Sequence, residues 1–167
     1  MIRSLVIGFG NIDRADDGVA IHVVNSLRKK LGQEPLVAGD TGLEELGRKI
    51  DSVFIPQLLP EIMEIVLDYN RLIFVDAHAG ADIDDVNCRL LTPDYVSSTF
   101  THHMVPASLL AFLKALYNRE PESYLVSIRG YNFDFSGDLT PQTKSLIQPA
   151  AEKIMQLLKE EIFYDNS

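Results

Sequence analysis

The sequence predicts an α/β protein, a three-layer sandwich with a largely parallel central sheet flanked by helices. Three observations carry that expectation. Short apolar runs alternate with longer segments whose apolar residues recur at helical spacing. The clearest run, Leu72 to Val75, is apolar without alternation, as a strand covered on both faces requires. The first run, Leu5 to Ile7, ends in the glycines Gly8 and Gly10, which turn the chain toward a helical segment.

The elements follow in order. Leu5 to Ile7 is the first strand, and Asp16 to Leu31 a helix with Ala20, Val23, Val24, Leu27 and Leu31 on one face. Arg28, Lys29 and Lys30 lie near its end, where cations complement the helix dipole, and His22 falls off the apolar face. Leu36 to Ala38 reads as a second short strand. Leu43, Leu46 and Ile50 suggest a helix behind the capping residues Asp40 and Thr41. The stretch from 51 to 70 is less regular, with Pro60 opening a helix through Tyr69 and Ile62, Ile65 and Val66 inward. After the central strand come a polar turn from Gly80 to Asp85 and a strand from Cys88 to Leu91. A helix from Pro106 to about Tyr117 and a strand from Tyr124 to Ile128 follow. Pro141 to Ile162 is helical in spacing, and Pro149 should kink or split it.

Composition narrows the function classes. The 167 residues are 46% hydrophobic and 23% charged, which suits one domain spanning 1–167; there is no repeat, low-complexity tract or linker. A formal net charge of −9 argues against broad binding to nucleic acid or anionic membrane. Cys88 is the single cysteine, so no intrachain disulfide or multi-cysteine metal site exists. The apolar start gives way to glycines too early for a signal peptide. No stretch approaches the roughly 20 apolar residues of a membrane span. A cytoplasmic protein is expected.

Ligands of α/β sheets bind at the carboxyl ends of the strands. Three places therefore matter: the loop GFGNIDRADDG after Ile7, the residues after Val75, and the loop before the Pro106 helix. The first offers Asp13, Asp16 and Asp17, the second Asp76 and His78, the third His102 and His103. Gly8 and Gly10 begin a dinucleotide fingerprint, but Asp13 stands where its third glycine belongs. Phosphate needs the positive helix start, which Asp16 and Asp17 fill with negative charge. Asp16 alone could be a helix cap or first-turn acid; an adjacent acid pair after a sharp turn favours a cation. His78 reads as a surface or supporting residue. Two carboxylates and one imidazole make a mixed nitrogen and oxygen site, suited to zinc, nickel or another borderline divalent ion. There is no H-E-x-x-H and no G-x-S-x-G, and Cys88 reads as core.

These motifs together resemble the hydrogenase maturation endopeptidases, which trim the C-terminal extension from the large subunit of nickel–iron hydrogenases. Gly8-Phe9-Gly10-Asn11 with Asp16-Asp17-Gly18 is similar to the family's first motif, and Phe74-Val75-Asp76-Ala77 to its second. Thr101-His102-His103 ahead of Pro106, Leu109 and Leu110 resembles the third. Asp40-Thr41-Gly42-Leu43 and Leu125-Val126-Ser127-Ile128 also fit, so the likeness spans nearly the whole chain.

The resemblance implies that Asp17, Asp76 and one histidine are the catalytic and nickel-recognising groups of an aspartic-type endopeptidase. His103 is preferred, three residues before a proline, with His102 the alternative. Nickel would arrive in the large-subunit precursor, the expected partner, and zinc or cadmium could replace it in a crystal. The chain departs from the family in lacking a Pro-Gly after Asp76-Ala77 and in a longer 48–66 region, which bears on which precursor is accepted. Two other functions use the same residues: a nucleotide-binding module built on Gly8 and Gly10, and a nickel metallochaperone without proteolysis.

Overall fold

The computed structural model describes residues 2–95 and 104–160. Five strands form one sheet: β1 (Ser4–Phe9), β2 (Ile50–Ile55), β3 (Arg71–His78), β4 (Val86–Leu90) and β5 (Glu122–Arg129). The helices are α1 (Val19–Lys30), α2 (Ile62–Val66), α3 (Pro106–Tyr117), α4 (Pro141–Lys144) and α5 (Ile147–Lys159). The strand order is β2-β1-β3-β5-β4, parallel throughout except for the edge strand β4.

The pleat divides the sheet between two cores. Val6, Ile73, Val75, Val126 and Ile128 face α1 and α5, meeting Val23, Val24, Leu27, Ile154 and Leu157. Leu5, Ile7, Leu72 and Phe74 face the other way, onto Ile62, Val66, Leu109 and Leu113 of α2 and α3. A helix layer thus covers each face, the expected three-layer sandwich, and β1 and β3 are apolar on both sides for that reason. From β1 the chain moves outward to β2, then crosses back to β3 on β1's other side. The order reverses between β1 and β3, and at such a switch point the loops part and leave a crevice.

Several boundaries differ from the sequence reading. Leu36 to Ala38 is not a strand. Leu36 is buried alone, its N–H donating to Asn25 Oδ1 at 2.8 Å and its carbonyl accepting from Asn25 Nδ2 at 3.0 Å. One side-chain amide meets both backbone needs without a neighbouring strand. Leu43 and Leu46 lie in irregular chain rather than a helix, and Ile50 opens β2.

The sequence reading missed β2 because its IDSVFI pattern is interrupted by Asp51 and Ser52, both buried. Asp51 accepts from Gly47 N–H, Arg48 N–H, the Tyr69 hydroxyl and Arg3. Arg28, expected as a dipole cation, is buried and donates to Ser52 Oγ and the Glu34 carbonyl. The last helix is split rather than kinked: α4 ends at Lys144 and α5 restarts at Ile147. Pro149 then falls in α5's first turn, where a missing N–H costs nothing.

Ile73 is fully buried in β3 at the centre of the sheet. Ile73→Ala should cost about 2–5 kcal/mol of stability in urea denaturation, as large-to-small changes in closed cores do.

Candidate active site

At the end of β1 the backbone reverses sharply. Gly10 has φ of +150°, and a Cβ there would run into the carbonyl oxygen of Asp17. Only glycine lets the loop fold this tightly onto the start of the next turn. The loop is closed by Asp17 N–H donating to the Arg14 carbonyl at 3.0 Å and by Asn11 N–H donating to Asp17 Oδ2 at 2.8 Å. Asp17 stands in a 3-10 turn, Ala15–Gly18, that leads directly into α1. The glycines therefore serve to deliver one carboxylate to the switch point, and that carboxylate already takes a loop N–H that a phosphate would need.

Asp76 arrives from β3, one strand over. Burial is the main force on it, pushing its carboxyl up to about 7; the Ala77 N–H, donating at 2.8 Å, opposes this, and the charge of Asp17 raises it further. Two like charges that feel one another in a poorly solvated crevice make a place short of positive charge. A divalent cation would supply it, and two carboxylates are donors that suit such an ion.

Asp16 does something else. It is fully buried, and its carboxylate turns away to the loop between β5 and α4. It accepts from Tyr131 N–H at 2.8 Å, Asn132 N–H at 3.0 Å, Thr140 N–H at 2.8 Å and the Thr140 hydroxyl at 2.8 Å. Burial alone would raise its pKa, but these four bonds outweigh it and hold the group below the usual carboxylate range. The acid pair is thus divided, Asp16 anchoring and Asp17 facing the crevice. Nothing in the sequence marks the 131–140 loop as its partner except its turn-forming Asn132, Ser136, Gly137 and Thr140.

His78 ends β3, two residues beyond Asp76. Its Nδ1 lies 2.9 Å from Ser127 Oγ, and Ser127 is the register partner of Asp76 on β5. Burial lowers the pKa of His78 and keeps the ring neutral, and Nε2 is enclosed without a hydrogen-bond partner among the described residues. Asp13 is exposed in the same loop as Asp17. Cys88 is half-buried on β4, where burial pushes its thiol up, away from nucleophilic character. His102 and His103 lie outside the described residues. Among the described residues, no group of three or more histidine, cysteine or acidic side chains could hold a metal ion; the structure brings together the two carboxylates.

Comparison with known proteins follows the same line. The hydrogenase 2 maturation protease of Escherichia coli is 24% identical over 168 residues, covering 95% of this chain and 92% of that protein. A candidate hydrogenase maturation protease of Methanocaldococcus jannaschii is 25% identical over 162 residues, 95% of each. The maturating endopeptidase HybD of Escherichia coli superposes with a TM-score of 0.68 at 21% identity, over 95% of this chain and 93% of that one. This chain has the fold of the hydrogenase maturation proteases. HybD of Thermococcus kodakarensis shares the fold with a TM-score of 0.66 at 16% identity, over 95% of this chain and all of that one (100%). No protein-family profile matches the sequence. On this maturation-protease fold, Asp17 and Asp76 sit where the strand order reverses.

Two consequences can be measured. Asp16→Ala leaves three part-buried N–H groups and a hydroxyl without their acceptor, so it should cost roughly 2–3 kcal/mol in urea denaturation at pH 7. For Asp76 the folded pKa lies above the unfolded one. The folded state therefore binds the extra proton, and stability falls as pH rises from about 4 through 7. Asp76→Asn should remove that dependence and stabilise the metal-free protein more at pH 8 than at pH 5. An equal effect at both values would contradict the buried, charge-coupled carboxyl.

Proposed function

We propose that this chain is an endopeptidase of hydrogenase assembly that removes the C-terminal extension of a nickel–iron hydrogenase large-subunit precursor, and that it acts on the nickel-loaded form. The observation that carries this reading is the pairing of Asp17 with Asp76 at the β1–β3 switch point, where burial and mutual repulsion drive Asp76 to about 7. The similarity to maturation proteases over 95% of the chain supports the reaction class.

In this reading nickel is cargo of the substrate. Asp17, Asp76 and His103 (or His102) bind the ion as the precursor presents it, and zinc or cadmium can stand in for it in a crystal. Binding fixes the scissile peptide beside the two carboxylates, and such positioning is a large part of catalysis. A carboxylate of the crevice that is not engaged by the ion can instead serve as the general base toward water. Among the described residues no helix is long and apolar enough to cross a membrane. The acidic chain suits a cytoplasmic protein partner rather than nucleic acid or a membrane surface.

The test is incubation with nickel-loaded and nickel-free precursor from the same source, read by mass spectrometry of the C-terminus. The loaded form should be cut once and the empty form left whole. Asp17→Ala, Asp76→Ala and His103→Ala should each reduce cutting by about 100-fold or more while remaining folded. Cleavage of neither precursor would sink the proposal, and loss in His102→Ala but not His103→Ala would reassign the histidine.

A further inference from the structure

The two loops that Asp16 ties together also carry an apolar surface. Phe135 is 81% exposed and Ile12 44% exposed, both large apolar side chains held out to solvent. The Arg14 guanidinium lies over the Phe135 ring, 5.1 Å from its centroid, with its Nε donating to the Phe133 carbonyl at 3.1 Å. The patch is rigidly mounted. Ala15 N–H donates to the Ser136 carbonyl and Ser136 N–H to the Asp13 carbonyl, at 2.6 and 3.0 Å, joining the two loops by a short bridge at Arg14 and Ser136. The buried Asp16 carboxylate locks the same loops together from beneath. An exposed aromatic ring with its position and its stacked arginine set in advance has the makings of an interface anchor, because little freedom remains to be lost on binding.

We propose that Ile12, Arg14 and Phe135 form the docking surface for the folded body of the protein substrate. This rests on the proteolytic reading above and names the part of the enzyme that recognises the substrate as a protein. Continuity with the site decides the occupant. Asn11 N–H donates to Asp17 Oδ2 at 2.8 Å, so Ile12 follows directly on the residue that holds the carboxylate, and the patch begins there. A stable protein contact covers about 800 Å² on each partner. A folded precursor that brings its C-terminal segment to Asp17 therefore covers this patch as well. A second copy of the chain seated here would instead stand over the crevice that must receive substrate. The complementary surface on the precursor is an apolar recess to take Phe135, edged by a carboxylate for Arg14.

The test compares wild type, Phe135→Ala and Ile12→Ser, with Leu116→Asp as a control near the end of α3, toward the opposite end of the sheet. Binding of the nickel-loaded precursor is measured by surface plasmon resonance and cleavage by steady-state kinetics. Phe135→Ala should weaken Kd and raise KM about 30-fold, the size of an interface anchor, with kcat and melting temperature unchanged; Ile12→Ser should act the same way more weakly. Leu116→Asp should match wild type. Unchanged Kd and KM in Phe135→Ala, in a preparation whose wild type cleaves normally, would overturn the docking surface and leave the proteolytic reading standing. A wild type that neither binds nor cleaves would overturn the reading, and the surface with it. Sedimentation showing a wild-type dimer that Phe135→Asp dissolves, with precursor affinity unaltered, would give the patch to a second copy instead.

Discussion

The four hydrogen bonds that converge on the Asp16 carboxylate govern the rest of this structure. They join the beginning of the α1 segment to a loop more than a hundred residues later in the chain, and they close the carboxyl end of the sheet on one side. A carboxylate with this many donors stays charged although buried, so the tie holds through the neutral range. With Asp16 committed inward, the next residue in a tight 3-10 turn is directed to the other side, toward β3. The orientation of Asp17 is therefore a consequence of how Asp16 is satisfied, and Gly10 is the allowance in the backbone that lets both happen.

What faces Asp17 is the complementary half of the design. Asp76 is held on β3, one residue past its last pair with β1 and still paired with Ser127 of β5, so its backbone has little freedom to move away from a like charge. The strand ends place the two groups at the one position where the sheet's connections diverge. The crevice therefore gathers negative charge, which favours a cation over a phosphate.

Much of this was legible in the sequence, and the limits have physical causes. The strands β1 and β3 and the helices α1 and α3 announce themselves because their burial is continuous or strictly periodic. β2 does not, because Asp51 and Ser52 are buried polar groups whose partners, Tyr69, Arg3 and Arg28, come from other elements. Leu36 mimics a strand because an asparagine side chain from α1 does the work of a neighbouring strand's backbone. The site was readable as two strand-end acids, yet the division of labour between Asp16 and Asp17 was not, since it depends on a distant loop. His78 could be placed near Asp76 by spacing; its bond to Ser127 depends on strand register, which no local pattern encodes.

In the proposed function, Asp17 and Asp76 form a crevice that receives a cation. Its most direct measurement is the titration of the Asp76 carboxyl carbon by NMR, in the free protein, with a divalent ion added, and in Asp17→Asn. The free protein should show a midpoint near 7, displaced downward in Asp17→Asn and well into the acid range when zinc or nickel is present. A midpoint near 4 in the free protein, indifferent to the metal and to Asp17, would contradict the account.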